Sequence, residues 1–244
     1  MASQYSPIWV LCDAYDTAAQ WAAARLHERG RSVSVVTAAQ LDTAVRWRHR
    51  VTRAGKASVT IELADGRCLS SEDRSAVLNR LSYIATDRIA AVAGADRDYA
   101  TQEMHALFLS WLHGLPGPML NRPTTQGLGG NWRHPSAWAV LAGRAGLRSK
   151  PYRQTSETDP DAAWSPPHQA GLVTVFAVAG RLVAPPLLPS DTRAGCLRLG
   201  ALSGEALLGI DLHDGNWEFQ GASPRPDLFQ GGVPLIDALA QVLS

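Results

Sequence analysis

The sequence predicts an α/β fold in which a parallel-sheet domain precedes a smaller α+β domain, and three stretches carry this expectation. Ile8-Trp9-Val10-Leu11-Cys12 is a continuous apolar run of strand length, followed by a helical pattern and then by Val33-Ser34-Val35-Val36. Strand, helix and strand in close succession form a parallel βαβ unit, right-handed by the usual steric rule. From Asp98 to Pro123, Met104, Leu107, Phe108, Trp111 and Leu112 recur at helical spacing and form one apolar stripe ahead of a Met119-Leu120 strand. Beyond 170, strand runs alternate with turn signals: Leu172 to Val178, Ala179-Gly180, Arg181 to Val183, then Leu207 to Leu212 and Asp214-Gly215. Two domains are expected in the 244 residues, at 1–123 and 171–244, joined by a helix and Pro-rich linker over 124–170.

Each element has its local signals. Asp16 is placed to cap a helix from about Thr17 to Arg29 that buries Trp21, Ala22 and Leu26 and stops at Gly30. Val59, Ile61 and Leu63 alternate with polar residues up to Asp65-Gly66, a hairpin signal that continues at Arg67-Cys68-Leu69. Ser70 to Asp73 has turn and cap character and precedes a strand over Ala76 to Ile84 that carries Asn79-Arg80. Asp98 is the expected N-cap of the striped helix, and Gly114 followed by Leu115-Pro116 ends it. Thr124 to Arg133 is a glycine-rich loop without the GK[ST] ending of a phosphate loop. Pro135 opens a helix over Ser136 to Ala145 with Trp138, Leu141 and Ala142 inward. Pro185, Pro186 and Pro189 end the hairpin after Val183, Trp217 to Phe219 is a further strand, and a last helix starts near Pro234.

Composition narrows function without naming it. A formal net charge of +1 lends no support to a nucleic-acid partner or an acidic membrane surface. No apolar run approaches the roughly 20 residues of a membrane span, and the start lacks the pattern of a signal peptide, so a cytoplasmic location is expected. Cys12, Cys68 and Cys196 are far apart and outside any metal or redox spacing, so buried free thiols are expected. The seven histidines show no HExxH or other tight ligand spacing, and there is no GxSxG elbow.

In this order the chain resembles the ATP-grasp ligase superfamily, in particular its peptide-maturase and glutathione-synthetase-like branches. The residues that carry the likeness are the N-terminal βαβ unit, Asn79-Arg80 and the Tyr99 to Glu103 helix start. They continue with Leu120-Asn121-Arg122-Pro123, the Trp138 to Leu147 helix before Pro151 and Thr155, and Asp159 to Trp164. Val173 to Val183, Gly209-Ile210-Asp211-Leu212 and the C-terminal helix complete it. The resemblance implies a pre-ATP-grasp-like parallel-sheet domain and a truncated, α+β ATP-grasp-like remnant. The truncation is expected at Ser165 to Thr174, a short interval where members of that superfamily carry a small subdomain with phosphate-neutralising lysines. Of the two lysines, Lys56 and Lys150, neither follows that point, whereas the other 21 basic residues are arginines. The superfamily's metal-binding Glu-x-Asn falls here on Gly221 and Ser223, which leaves Asp211 as a weak metal candidate with Glu218 nearby.

These departures point to a pseudoenzyme that needs no cofactor. It would be a binding or accessory subunit for an intact peptide- or metabolite-modifying enzyme, with a protein partner or a homodimer, because deleting a subdomain exposes apolar surface. Asp13, Asn79, Arg80, Asn121 and Arg122 are the ligand candidates, because strand ends converge at the crevice of an open α/β sheet and an arginine fork suits the carboxylate of a peptide or small ligand. The same residues suit structural anchoring, and Asp13 also suits a turn. The alternative is an active ATP-dependent carboxylate–amine ligase in which Asp211 holds magnesium.

Overall fold

The computed structural model describes residues 7–55, 57–86, 91, 93–152 and 171–244. Asp159 to Trp164, the interval from Ser165 to Gln169 and the expected linker from 153 onward lie outside the described residues. The chain forms two compact units, Met1–Asn131 with Ile236–Ser244, and Trp132–Leu235.

In chain order the first unit comprises β1 (Ile8–Cys12), α1 (Thr17–Glu28), β2 (Val33–Thr37), α2 (Ala38–Asp42) and β3 (Arg46–Val51). It continues with β4 (Ala57–Glu62), β5 (Cys68–Ser70), β6 (Val77–Arg80), α3 (Arg97–Gly114) and β7 (Met119–Leu120). A four-stranded sheet runs β2-β1-β6-β7, with every pair parallel. All of β1 is buried, which is why its sequence is continuously apolar rather than alternating. The expected strand over 76–84 is shorter, Val77–Arg80.

A separate antiparallel sheet runs β3-β4-β5. Its β4–β5 hairpin is the one the Asp65-Gly66 signal predicts, whereas β3 carries no strand signal because its sequence, RWRHRV, has few apolar residues. β3 is held by Trp47, whose ring lies 4.9 Å from that of Phe108 and 5.3 Å from that of Trp111. The helix α3 starts one residue before Asp98. Asp96 occupies the N-cap without a side-chain bond, and Asp98 sits in the first turn, where its charge suits the helix dipole. Phe108, Trp111 and Leu112 of the expected stripe are buried, with Met104 packed partly against the same core.

The second unit contains α4 (Pro135–Arg144), β8 (Leu172–Val178), β9 (Arg181–Val183), α5 (Ser190–Ser203), β10 (Leu207–His213), β11 (Phe219–Ser223) and the start of α6 (Gly232–Val242). Its sheet runs β11-β10-β8-β9 and is antiparallel throughout. The strand expected at 217–219 begins where that expectation ends, because Trp217 adopts a left-handed turn conformation at φ 56°. The helix α5 has no counterpart in the sequence expectation. Its buried face is built from Gly195, Cys196, Leu199, Gly200 and Ser203, too small to give an apolar period. Close packing requires that smallness: a Cβ on Gly195 would lie 2.6 Å from Leu147 Cδ2, and one on Gly200 2.8 Å from Ala177 Cβ. Residues 236–244 belong to the first unit, where Asp237 accepts from Arg29 at 2.6 Å and the Ala240 carbonyl from Arg31 at 3.0 Å.

Candidate functional site

Among the described residues, each unit has a place where strand ends or a sheet face hold a partly or fully buried aspartate. In the first, β1 and β6 are adjacent while the chain runs outward from them to β2 and β7, so the crevice of the parallel sheet opens between their carboxyl ends. The Arg80 fork meets a carboxylate of the chain itself there. Its Nε donates to Asp16 Oδ2 at 2.8 Å and its Nη2 to Oδ1 at 3.3 Å, with only 5% and 6% of the two side chains exposed. Asp16 also caps α1, its Oδ1 accepting from Ala19 N at 2.9 Å. Asp13 is tied across the same crevice, accepting the Ser82 N–H at 3.1 Å on one oxygen and the Ser82 hydroxyl on the other.

The Asn79 amide is used in the same way. Its Nδ2 donates to the carbonyls of Asn121 at 2.8 Å and Leu128 at 2.7 Å, so it fastens β6 to the end of β7 and to the glycine-rich loop. Asn121 is itself buried, and Arg122 is exposed, donating to the Gly117 carbonyl at 3.3 Å. The five strand-end residues thus fall into three internal clasps, Arg80 to Asp16, Asp13 to Ser82 and Asn79 to Asn121, and one exposed guanidinium. Asp16, the partner that defines the first clasp, reads in the sequence only as a helix cap; 64 residues separate it from Arg80.

Buried Cys12 lies beside this clasp. Burial first, and then the charges of Asp16 and Asp13 against that of Arg80, push its thiol up to about 11. Cys196 is likewise buried and pushed up to about 12. Cys68 is exposed, contrary to the expectation of three buried thiols, because it stands opposite Glu62 on the outer face of the β4–β5 pair.

The second place is a cleft of about 970 Å³ on the face of the antiparallel sheet. Thr174 and Phe176 of β8, Val183 of β9 and Asp211 of β10 line it, with Asp227 and Gln230 opposite. Asp211 pairs in register with Thr174 and accepts its hydroxyl at 2.6 Å. Gln230 Oε1 lies 2.6 Å from the same hydroxyl, so the two acceptors share its one proton. Burial holds the Asp211 carboxyl above the usual carboxylate range, the Thr174 bond opposing it in part.

The sheet register also places the residues opposite Asp211. Gly221 of β11 pairs with Asp211 and Ser223 with Gly209, and a Cβ added at Gly221 would lie 3.9 Å from Asp211 Oδ2. A carboxylate at 221 would therefore join Asp211 in one ligand set, but glycine supplies none. Among the described residues no group of three His, Cys, Asp or Glu is placed to hold a metal ion, and no lysine or arginine lines the cleft. Hard Mg²⁺ needs several oxygen ligands and nucleotide phosphates need positive charge. The described residues that line this cleft do not by themselves fit a magnesium nucleotide.

A smaller concavity of about 460 Å³ lies along β11, walled by Trp132, Trp138 and Tyr152. Arg133 stacks over the Trp138 ring at 5.0 Å.

Solved structures of similar architecture define the class: this chain has an ATP-grasp-like fold over nearly its whole length. It is similar to the macrocyclase MdnB from Microcystis aeruginosa MRC, at 16% identity and TM-score 0.67, over 97% of this chain and 98% of that one. MdnC from the same organism, solved with its precursor peptide MdnA, is 12% identical at TM-score 0.70 over 97% and 99% of the two chains. A Chryseobacterium gregarium RiPP-associated ATP-grasp ligase, in complex with ADP and a leader and core peptide, is 11% identical at TM-score 0.70 over 98% and 96%. No family model and no curated protein matches the chain.

Proposed function

We propose that this chain is a catalytically degenerate ATP-grasp-like protein that binds a peptide or small carboxylate without ligating it, as an accessory subunit to an intact modifying enzyme or as a homodimer. The observation that carries the proposal is the Asp211 cleft, where one half-buried carboxylate faces Gly221 and, among the described residues, no lysine or arginine lines the wall. Phosphoryl transfer is almost wholly electrostatic positioning, so such a cleft lacks the means for it. Peptide binding is supported by analogy with MdnC and the C. gregarium ligase, whose structures hold precursor peptides. At the strand ends the exposed Arg122 is the group assigned to a carboxylate, while Asp13, Asn79, Arg80 and Asn121 hold the backbone that presents it.

The rival reading, an active carboxylate–amine ligase, is favoured by one observation: Asp211 occupies a sheet-face cleft in a fold shared with ligases. Calorimetric titration with ATP and Mg²⁺, repeated on Asp211→Ala, separates the two. No heat in either protein is expected. Saturable heat that vanishes in the variant would establish a rebuilt nucleotide site and end the pseudoenzyme reading.

A further inference from the structure

The outer strand β3 turns its two faces to different tasks. Trp47 packs on Phe108 and Trp111 and donates its Nε1–H to the Leu41 carbonyl at 3.2 Å, and His49 Nε2 lies 3.3 Å from Ser110 Oγ. Alternation along the strand then sends Arg46, Arg48 and Arg50 to the opposite face, where all three are exposed. Successive guanidinium stems on that face stand about 6–7 Å apart. Their register partners on β4 are Glu62, Thr60 and Ser58. Among the described residues only Arg46 of the three meets a carboxylate, that of Glu62 at 3.6 Å.

The strand is also the end member of its sheet, so alternate backbone N–H and C=O groups of β3 point away from β4. Next to Arg50 lies a concavity of about 820 Å³ lined by Arg50, Ser58, Ser71, Glu72 and Arg74 among others. Basic residues on an edge strand commonly guard against unwanted pairing. Here they form a register of three, anchored from behind by Trp47, with a concavity at one end that holds a fourth arginine. An extended chain repeats its side chains at the same interval, so carboxylates at every second residue would meet this register one for one.

We propose that the free edge of β3 is a docking surface for an extended acidic polypeptide segment, which adds as a further strand and sets alternate carboxylates against Arg46, Arg48 and Arg50. The final carboxylate reaches the concavity beside Arg74. Main-chain bonds along the edge supply affinity, and the arginine register supplies selectivity for acidic side chains and the alignment of the incoming strand. The site deepens the peptide-binding reading by naming the chemistry of the segment, yet it lies wholly in the first unit and requires nothing of the Asp211 cleft.

The test is fluorescence polarisation of a labelled peptide alternating Glu and Thr, titrated with the full chain. Saturable binding that weakens steeply with added salt is expected, together with loss of binding when Lys replaces Glu in the peptide. Arg48→Glu combined with Arg50→Glu should weaken binding by about tenfold or more, and the corresponding Gln variant by less. Both side chains are exposed, so an unchanged unfolding midpoint is the check that each variant folds. A peptide with Pro at alternate positions, unable to donate along the edge, should also bind about tenfold more weakly. Equal binding by wild type and the Glu variant, no preference for Glu over Lys, or undiminished binding of the Pro peptide would each overturn the proposal. So would tighter capture of a single-stranded oligonucleotide by the same arginines. Asp211→Ala should bind the peptide like wild type, so failure here is distinct from failure of the nucleotide titration.

Discussion

The carboxyl end of the parallel sheet and the face of the antiparallel sheet each bury an aspartate, but they answer its charge differently. Asp16 receives two bonds from Arg80 and one from the backbone of α1, and its side chain is almost wholly covered. Asp211 receives the Thr174 hydroxyl, faces a glycine across the strand pair, and borders a cleft of about 970 Å³. A buried charge that is matched and hydrogen-bonded on its remaining lone pairs becomes part of the scaffold. One left with a neutral donor at the rim of a cavity keeps its desolvation penalty, which an arriving ligand can relieve. The first arrangement explains how the strand ends are held, and the second leaves a partly covered carboxylate facing a cleft whose described lining has no lysine or arginine.

Breaking the matched pair should have the largest effect. Arg80→Ala leaves the Asp16 carboxylate buried and unpaired and should destabilise the protein by about 3–5 kcal/mol. Equilibrium urea unfolding measures this, and adding Asp16→Ala should cost much less than a second full loss, because the two residues act as one unit. Independent, additive losses would show that the clasp does not couple them.

A smaller effect is expected from Gly221→Glu, which converts the cleft toward the two-carboxylate arrangement. Gly221 has no strained backbone and a Cβ there meets Asp211 Oδ2 only at an ordinary contact distance of 3.9 Å, so the side chain fits, but like charges then face each other across the strand pair. A loss of about 0.5–1 kcal/mol is expected without divalent cations, with recovery on adding Mg²⁺. Recovery in the wild-type protein as well would mean that the cleft already holds a metal.

The smallest effect belongs to Asp211→Asn. Burial raises the Asp211 carboxyl in the folded state, so folded protein holds that proton more tightly than the unfolded chain does. Stability therefore falls as pH rises from the ordinary carboxylate range through the raised folded value. The amide has no charge to desolvate, still accepts the Thr174 hydroxyl, and should raise the melting temperature slightly above that window. The gain should fade as pH drops toward the ordinary range. A variant less stable than wild type near neutral pH would mean that a positive partner already answers Asp211.

Much of this architecture was legible in local chemistry. The apolar run of β1, the Asp16 cap, the stripe of α3 and the Asp65-Gly66 hairpin turn each specify an element through bonds or burial within a few residues. The pairing of the Asp211 strand with the strand that carries Gly221 and Ser223 likewise follows from the Asp214-Gly215 turn signal between them. The helix α5 escaped because a neighbouring surface, not its own periodicity, demands Gly195 and Gly200. The strand β3 escaped because only Trp47 and His49 of its six residues face inward. The ligand candidates stand at strand ends, and there Arg80 and Asn79 find partners inside the chain.

By itself the sequence determined the α/β class, the order of most elements and the absence of lysine after Lys150, since these depend on residue identity and short-range periodicity. Only the tertiary structure decided which charges are answered. Whether an arginine is a ligand fork or a clasp depends on what lies within about 3 Å of it. For Arg80 that neighbour is Asp16, 64 residues away in the chain and brought close by the β1–β6 register.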